Sequence, residues 1–373
     1  MDFSPVELAA DDQRFRDELR AFLARVVTEE VIRRDRETGE NFDEAVHLAL
    51  GEAGYLAGDY HSEARGGFSP LRRRIWELEI GRAHTPWFHW GTTAMVAHTV
   101  EELGSPELVE EVLPGVLEGR IRLCLGYTEP DGGSDVATCK TRSVREADGS
   151  TWTINGSKMF TSNAHNAQYV FLVTTSDPDL PKHKNLTMFL VPLDVPGVEI
   201  QPIRTVDGDR TNITFYTDVR ISDRYRIGAV NGGWAVLRAA LAVEHGTHKK
   251  EELGLEKLAT MTEHITLMAE AADRVAAVAP DDAAAQYRLG RGFARMEAAM
   301  STPDMYGRVA IAQTMRDVSP EFMDLLGPSG ALTDGIEYIF RLAGPTGVYG
   351  GTLEVFRNMI AQQGLGLGRP KYS

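Results

Sequence analysis

The chain has 373 residues, a formal net charge of −15 and a pI of about 5.2. Its hydrophobic content of 43% and charged content of 25% are those of a globular protein, which excludes collagenous and disordered classes. The acidic balance argues against broad nucleic-acid binding, since that requires a basic face. A chain of this length is expected to divide its core among about two to three domains.

The cysteines and the apolar segments predict where the protein works. Cys124 and Cys139 are the two cysteines, and their spacing matches neither a zinc site nor a disulfide framework. We therefore expect reduced thiols and a cytoplasmic protein. The N-terminal residues lack the basic and apolar segments of a secretory signal. Because the sequence contains no apolar run of about 20 residues, we expect no membrane span.

The first third of the chain has the periodicity of helices. Apolar residues three and four apart form one stripe: Phe15, Leu19, Phe22, Leu23 and Val26. Similar patterns predict further helical stretches around 48–56, 75–81 and 96–103. Gly104 is expected to end one helix, and Ser105 before Pro106 is expected to cap the next.

Between residues 121 and 228 the apolar period changes to two, which predicts strands. Runs of β-branched and aromatic residues indicate strands at 169–174, 186–193 and 213–219. Asn155-Gly156 separates two such runs and predicts a hairpin with a type I′ turn, because both residues tolerate positive φ.

From Trp234 onwards the helical period returns. Apolar residues again alternate three and four apart along one seam: Leu258, Met261, Ile265, Met268 and Ala272. The whole pattern predicts an α+β protein of three domains. These are an N-terminal helical domain (1–120), a middle antiparallel β domain (121–228) and a C-terminal helical bundle (229–373).

Three segments contain residues suited to bind an anion or a flat ring. Residues 127–135 read Y-T-E-P-D-G-G-S-D, and the paired glycines let backbone N–H groups approach an anion. Residues 158–163 read K-M-F-T-S-N, with an aromatic ring before two hydroxyls. Residues 349–358 open a helix with Gly350-Gly351. Each segment alone is typical of an ordinary loop or strand end, and neither a P-loop nor a dinucleotide fingerprint is present.

In this order the three segments resemble those of the acyl-CoA dehydrogenase family, and the resemblance covers essentially the whole chain. Residues 103–107, 232–234 and 364–370 also resemble family segments. The resemblance implies FAD bound between the β domain and the C-terminal helices. It also implies α,β-dehydrogenation of an acyl-CoA thioester, with an electron-transfer flavoprotein as the electron acceptor.

The resemblance also implies individual cofactor contacts. Phe160 stands where the family usually has Trp beside the isoalloxazine, and Ser162 replaces a Thr that bonds its edge. Ser134 is also the position that commonly touches the pantetheine arm of the substrate. The complete set of implied FAD-binding residues is Leu125, Tyr127, Thr128, Gly133, Ser134, Phe160, Ser162, Thr352 and Glu354.

The catalytic base is implied by a shift of position. The family's commoner base position is Gly350 here, which has no side chain to accept a proton. A minority of the family instead has a Glu early in the third domain, and this position is Glu244. Gly350 can still donate its backbone N–H to the thioester oxygen. His245 stands where the family usually has a substrate-orienting Arg, and it is the expected substrate contact.

Two further departures concern assembly. Arg274 lies near the family's Arg-x-x-Phe-Gly motif but lacks the Phe-Gly, and Asp324 replaces a Gln. In the family these elements reach the FAD of a neighbouring subunit. We therefore expect an α2β2 heterotetramer with a related acyl-CoA dehydrogenase subunit. The alternative is that the loops have drifted and that Arg288 or Arg291 binds the pyrophosphate.

The pattern looks most like actinobacterial subunits that act on steroid side-chain thioesters. The small Gly350 and the shifted base would open the pocket to a bulky acyl group. Two other functions remain open: a catalytically silent partner subunit, which His245 and Asp324 favour, and a flavin oxidase or monooxygenase on the same fold. Neither nucleic acid nor a membrane is expected as a partner.

Overall fold

The computed structural model describes residues 7–244, 262–302, 304–332 and 335–368. The chain forms two compact units. The first contains the N-terminal helices, the β-sheet and the helix that follows the sheet up to Val243, and the second contains the remaining C-terminal helices with the turn at 204–209.

Seven α-helices precede the sheet in the described part of the chain, and the first of them contains the predicted apolar stripe. They are α1 (Ala10–Val26), α2 (Glu29–Thr38), α3 (Glu44–Glu52), α4 (Tyr55–Tyr60), α5 (Pro70–Arg82), α6 (Trp90–Leu103) and α7 (Pro106–Leu117). Leu19 and Leu23 of α1 are buried in the core of the first unit, as the spacing predicts. Helix α6 ends before Gly104, and the Ser105 hydroxyl accepts a hydrogen bond from Leu108 N at 3.2 Å to cap α7.

A single eight-stranded sheet follows. Its strands are β1 (Leu123–Gly126), β2 (Arg142–Arg145), β3 (Thr151–Lys158), β4 (Tyr169–Thr175), β5 (Leu186–Pro192), β6 (Val198–Arg204), β7 (Arg210–Ser222) and β8 (Arg226–Ile227). Their order is β6-β7-β3-β2-β4-β5-β8, with β1 beside β4. Most pairs are antiparallel, whereas β1 and β2 run parallel to β4. The predicted strands correspond to β4, β5 and β7.

The hairpin predicted at Asn155-Gly156 is wrong, because β3 runs through both residues. The strand pairs with β2 on one side and β7 on the other, and its register shifts between Ile154 and Gly156. Gly156 has a φ of 146°, and a Cβ there would lie 2.7 Å from the Cα of Thr141. The glycine therefore allows a bulge and a close backbone approach rather than a turn.

The C-terminal helices begin with α8 (Gly233–Glu244). The helices that follow are α9 (Thr262–Val278), α10 (Ala283–Met300), α11 (Asp304–Leu326), α12 (Ile336–Thr346) and α13 (Leu353–Met359). Ile265, Met268 and Ala272 of the predicted seam are fully buried in the core of the second unit. Leu258 and Met261 lie outside the described residues. The observed order of helices, sheet and helices confirms the predicted fold class, while the domain boundaries stay a prediction.

Both cysteines are free thiols, as expected. None of the helices in the described ranges is long and apolar enough to cross a membrane. Within the same ranges, no group of three or more His, Cys, Asp or Glu side chains is arranged to hold a metal ion.

Candidate functional site

The loop at 127–135 is a tight turn that leaves the end of β1. Glu129 N donates to Gly132 O at 2.9 Å and Gly132 N donates to Glu129 O at 3.1 Å, which closes the turn. A Cβ on Gly132 would lie 2.9 Å from Thr138 Oγ1, so a side chain there would force a shift. At Gly133 the nearest such contact is an ordinary 3.5 Å to Thr128. Gly133 and Ser134 are exposed, so their backbone is open to a ligand.

A buried ion pair joins this loop to the second segment. Lys158 Nζ lies 2.7 Å from Glu129 Oε1, with the two side chains 0% and 7% exposed. The Glu129 carboxylate also accepts from Lys140 N at 2.7 Å, from Thr141 N at 2.9 Å and from Thr141 Oγ1 at 2.7 Å. A buried carboxylate with this many donors has its charge and its lone pairs compensated.

The protonation of Glu129 follows from these contacts. Burial alone would raise the pKa of its carboxyl, but the Lys158 charge and the hydrogen bonds from Lys158 and Thr141 outweigh burial. They lower the pKa from 4.5 to about 2. Glu129 is therefore ionised at neutral pH, and the ion pair is intact under working conditions.

The ion pair predicts a specific acid sensitivity. A carboxyl whose pKa is lower in the folded state than in the unfolded state stabilises the protein at pH values above the unfolded-state pKa. This stabilisation is lost as the pH falls from the unfolded-state pKa through the folded-state pKa. Between pH 4.5 and 2, Glu129 should therefore account for a loss of about 3 kcal/mol. Glu129→Gln should lower stability at pH 7 by about 3 kcal/mol and flatten this acid dependence. Urea unfolding at a series of pH values measures both effects.

Asp131→Asn is the matched control, because Asp131 lies on the same loop. Its ion pair with Lys140 is exposed, at 69% and 70% for the two side chains. Exposed pairs of this kind contribute at most about 1 kcal/mol. If the stability of Glu129→Gln falls with acid as steeply as that of the parent protein, the buried ion pair is not the source of the acid sensitivity.

The second segment holds an aromatic ring on a strained backbone. Phe160 has a φ of 59°, which is unfavourable for a bulky residue, and its side chain is 53% exposed. Hydrogen bonds fix the backbone on both sides. Met159 N donates to Thr128 O at 2.8 Å, and Thr161 N donates to Asn212 O at 2.9 Å. Strain of this type persists only where the surroundings enforce it, and it is found preferentially at functional sites.

The structure therefore brings the predicted residues of the first unit together. Leu125 lies on β1, and Tyr127, Thr128, Gly133 and Ser134 lie on the loop that follows it. The hydrogen bond from Met159 N and the Lys158 ion pair hold this loop against the segment with Phe160 and Ser162. Ser162 is exposed, and its hydroxyl lies 3.0 Å from Thr211 Oγ1.

In the second unit, Gly350 and Gly351 form a loop before α13. Both have positive φ, 61° and 102°, and a Cβ on Gly351 would lie 3.0 Å from the ring of Phe356. Tyr349 anchors this loop: its hydroxyl lies 2.6 Å from His264 Nε2, and its carbonyl accepts from Arg308 Nη2 at 2.8 Å. Arg308 is only 2% exposed. The sequence pattern did not single out His264 or Arg308, because both lie far along the chain from the glycines.

Thr352 and Glu354 lie at the start of α13, where Thr352 caps the helix and Glu354 faces solvent. Thr352 is the N-cap, and its hydroxyl accepts from Val355 N at 3.2 Å. Glu354 is exposed, and it lies 3.8 Å from Arg357. Its pKa is lowered by backbone hydrogen bonding at the helix start, with a contribution from the Arg357 charge.

The predicted base lies at the edge of the described chain. Glu244 is the last residue of α8, and its side chain lies outside the described residues, as does His245. The backbone at Glu244 is helical, as predicted. The roles of Glu244, His245 and Gly350 stay predictions.

Asp324, one of the two residues predicted to reach a neighbouring subunit, belongs to a row of ion pairs between α10 and α11. Asp324 accepts from Arg288 Nη1 at 2.8 Å, so its charge is compensated within this chain. Arg288 Nη2 also donates to the backbone oxygen of Glu321 at 2.9 Å, and Arg291 pairs with the Glu321 carboxylate. Arg274 is exposed on α9. Both arginines that could replace the missing motif are thus bound to acidic side chains.

The chain matches known proteins in both parts of the first unit. Residues 9–120 match the N-terminal domain of acyl-CoA dehydrogenases, and residues 124–221 match the middle domain. Acyl-CoA dehydrogenase IpdE1 of Mycolicibacterium smegmatis is 32% identical, over 81% of this chain and 82% of that protein. A match to acyl-CoA dehydrogenase FadE34 of Mycobacterium tuberculosis is 36% identical, but it spans 54% of this chain and only 28% of that longer protein.

Solved structures match over the full length. A chain of the Tcur3481-Tcur3483 steroid ACAD superposes with a TM-score of 0.80 at 28% identity, covering 98% of this chain and 100% of that one. A chain of the ChsE4-ChsE5 complex from Mycobacterium tuberculosis superposes with a TM-score of 0.80 at 25% identity, with the same coverage.

Proposed function

The chain belongs to the acyl-CoA dehydrogenase family, and we propose that it catalyses the FAD-dependent α,β-dehydrogenation of an acyl-CoA thioester. The family is one of oxidoreductases whose members bind FAD. The cofactor, the substrate class and the residue roles in this chain are the content of the proposal.

The observation that supports the proposal most strongly is the environment of Phe160. A half-exposed aromatic ring held on a strained backbone offers a flat apolar face to a planar ligand. The exposed Ser162 hydroxyl lies two residues away, and it can bond the polar edge of such a ring. The exposed backbone of Gly133 and Ser134 suits a phosphate. This donor set fits a flavin dinucleotide.

In this proposal FAD, when bound, supplies the oxidant that accepts a hydride from the β-carbon of the acyl group. Phe160 would cover one face of the flavin ring, and Ser162 would bond its edge. Leu125, Tyr127, Thr128 and Gly133 line the cofactor. Ser134 contacts both the cofactor and the pantetheine arm of the substrate.

The C-terminal residues supply the acid-base chemistry. Glu244 removes the α-proton, which requires a pKa raised by desolvation in the substrate complex. Gly350 donates its N–H to the thioester oxygen as negative charge develops there. Thr352 and Glu354 would line the flavin, and His245 would orient the substrate. An electron-transfer flavoprotein would serve as the electron acceptor.

We further propose a bulky acyl group as substrate. Glycine at position 350 removes the side chain that the commoner family members have there, which leaves room beside the thioester. The similarity to a steroid ACAD supports a steroid side-chain thioester in particular.

The second candidate function is a catalytically silent partner subunit, which the Asp324–Arg288 pair favours because this pair occupies the position of a family FAD contact.

The flavin site is tested by variants that distinguish the contribution of the Phe160 ring from that of its strained backbone. Phe160→Gly should relieve the strain at a φ of 59° and leave folding intact, yet weaken FAD binding about tenfold because the aromatic face is lost. Phe160→Trp should retain binding. Equilibrium binding of FAD to the subunit complex, with urea unfolding alongside, measures the two effects.

Phe88→Gly is the matched control, since Phe88 is also a half-exposed aromatic residue of the first unit, at 41%. It should leave FAD affinity unchanged. If Phe160→Gly and Phe88→Gly bind FAD equally well, Phe160 is not part of a flavin site.

A further inference from the structure

Glu40 follows α2 and connects the N-terminal helices to the start of β7. Its carboxylate accepts from His165 Nε2 and from Arg210 Nη1, the latter at 3.3 Å. Its backbone oxygen lies 3.3 Å from His89 Nε2. The adjacent Gly39 oxygen accepts from Arg210 N at 2.7 Å. Burial would raise the pKa of Glu40, but the hydrogen bond from His165, with a contribution from Arg210, lowers it.

The other side of the His165 ring faces the segment that contains Phe160. His165 Nδ1 lies 3.1 Å from Asn212 Nδ2, and the same amide donates to Thr161 O at 3.0 Å. The Asn212 amide nitrogen is a donor, so we assign Nδ1 as its acceptor and place the ring proton on Nε2, which faces the Glu40 carboxylate and also lies 3.0 Å from Asn166 Nδ2. Asn212 is fully buried and can satisfy Thr161 only in this orientation.

Asn212 also holds Thr161 through its backbone. Thr161 N donates to Asn212 O at 2.9 Å, so the backbone amide and carbonyl of Thr161 are both held by one residue. Thr161 is itself fully buried, and the residue before it is Phe160 with its strained φ. The conformation at Phe160 therefore depends on the orientation of Asn212, which His165 and Glu40 fix in turn.

We propose that Glu40 and His165 are positioning residues that act through Asn212 to hold Phe160 in its strained, ligand-ready conformation. The proposal rests on the proposed function, because it assigns the purpose of this conformation to flavin binding. Glu40 and His165 do not touch the ligand themselves. They make the N-terminal helices a determinant of flavin affinity through a contact between residues that are 125 positions apart.

The experiment measures the segment and the cofactor separately in the subunit complex. His165→Phe keeps the ring volume but removes both nitrogens, and Glu40→Ala removes the carboxylate. Amide hydrogen exchange at Thr161 and Ser162 should rise about tenfold in both variants, as a lost hydrogen bond predicts. The Kd for FAD should rise by a similar factor of about ten.

Glu40→Gln tests rescue, because its carbonyl can still accept from His165; it should retain most of the affinity. Glu101→Ala is the matched control. Glu101 accepts from Tyr60 at 2.7 Å and from Arg65 at 2.8 Å, and its exposure of 26% is close to the 20% of Glu40. It belongs to α6 and has no bond to the Phe160 segment among the described contacts. It should change neither exchange at Thr161 nor FAD affinity.

Two results would overturn the proposal. If amide exchange at Thr161 and Ser162 in His165→Phe and Glu40→Ala is no faster than in Glu101→Ala, the Glu40 contact does not position the Phe160 segment. Faster exchange with an unchanged Kd for FAD would show that the positioned segment does not serve flavin binding. A parent complex that binds no FAD would instead refute the proposed function, while the exchange measurement would still report on the positioning.

Discussion

Glu244→Gln is expected to retain FAD binding and to lose dehydrogenation by roughly a thousandfold, because the amide cannot accept the α-proton. The change keeps the size and the hydrogen-bonding capacity of the side chain, so the loss should appear in kcat rather than in flavin content. Single-turnover reduction of the flavin by an acyl-CoA, followed by absorbance, measures the chemical step directly. The assay uses the complex with its related subunit.

Glu297→Gln is the control for a change of charge, since Glu297 is an exposed residue on α10. It should reduce flavin at the rate of the parent protein. If Glu244→Gln also keeps most of that rate, the base lies elsewhere, either in this chain or in the partner. Gly350→Glu is a companion test in which only a gain in rate has a clear meaning, because a new carboxylate at this position could equally block the pocket.

The fold could be predicted from local patterns because helix and strand periods record which face of each element is buried. Leu19 and Leu23, and later Ile265 and Met268, are fully or almost fully buried where the spacing places them. The turn predicted at Asn155-Gly156 is absent for a physical reason. A β-bulge and a type I′ turn both favour glycine, because both need a residue without Cβ, so the dipeptide alone does not distinguish them.

The site was less accessible to sequence analysis, because its key contacts join residues far apart in the chain. Glu129 lies inside a segment that the sequence singled out, yet nothing local indicates that its carboxylate is buried against Lys158, which is 29 residues away. The contact from Glu40 to His165 spans 125 residues. Both glycines at 132 and 133 were predicted to allow a close backbone approach, and of the two only Gly132 is crowded, with a Cβ position 2.9 Å from Thr138 Oγ1. These features depend on strand pairing, which single-sequence patterns do not specify.

Assembly is the second prediction with a large effect. We expect this chain, expressed alone, to bind FAD poorly, and the complex with a related subunit to be an α2β2 heterotetramer with about one FAD per heterodimer. The loop at 127–135 and the Phe160 segment are intact in this chain. The elements that reach a neighbour's cofactor in the family are not, since Arg274 lacks the Phe-Gly and Asp324 replaces Gln. A related subunit that keeps both elements would complete one site per heterodimer.

The row of ion pairs between α10 and α11 strengthens this expectation against its alternative. Arg288 and Arg291 are already paired with Asp324 and Glu321, so a pyrophosphate bound by these arginines would lie beside two carboxylates. The negative charge of these carboxylates would repel it. The similarity to chains of the ChsE4-ChsE5 complex and of the Tcur3481-Tcur3483 steroid ACAD supports the heteromeric assembly.

Purification of this chain alone and together with its related subunit decides between the two arrangements. Flavin absorbance per chain and mass by light scattering give the stoichiometry. If Arg288 or Arg291 serves the pyrophosphate, this chain alone should form a homotetramer with one FAD per chain, and Arg288→Ala or Arg291→Ala should release that FAD. If the heteromer is correct, the same variants should leave the FAD content of the complex unchanged, because their partners are Asp324 and Glu321 rather than the cofactor. A stable, FAD-saturated homotetramer active on an acyl-CoA would refute the heteromer and leave the membership of the family untouched.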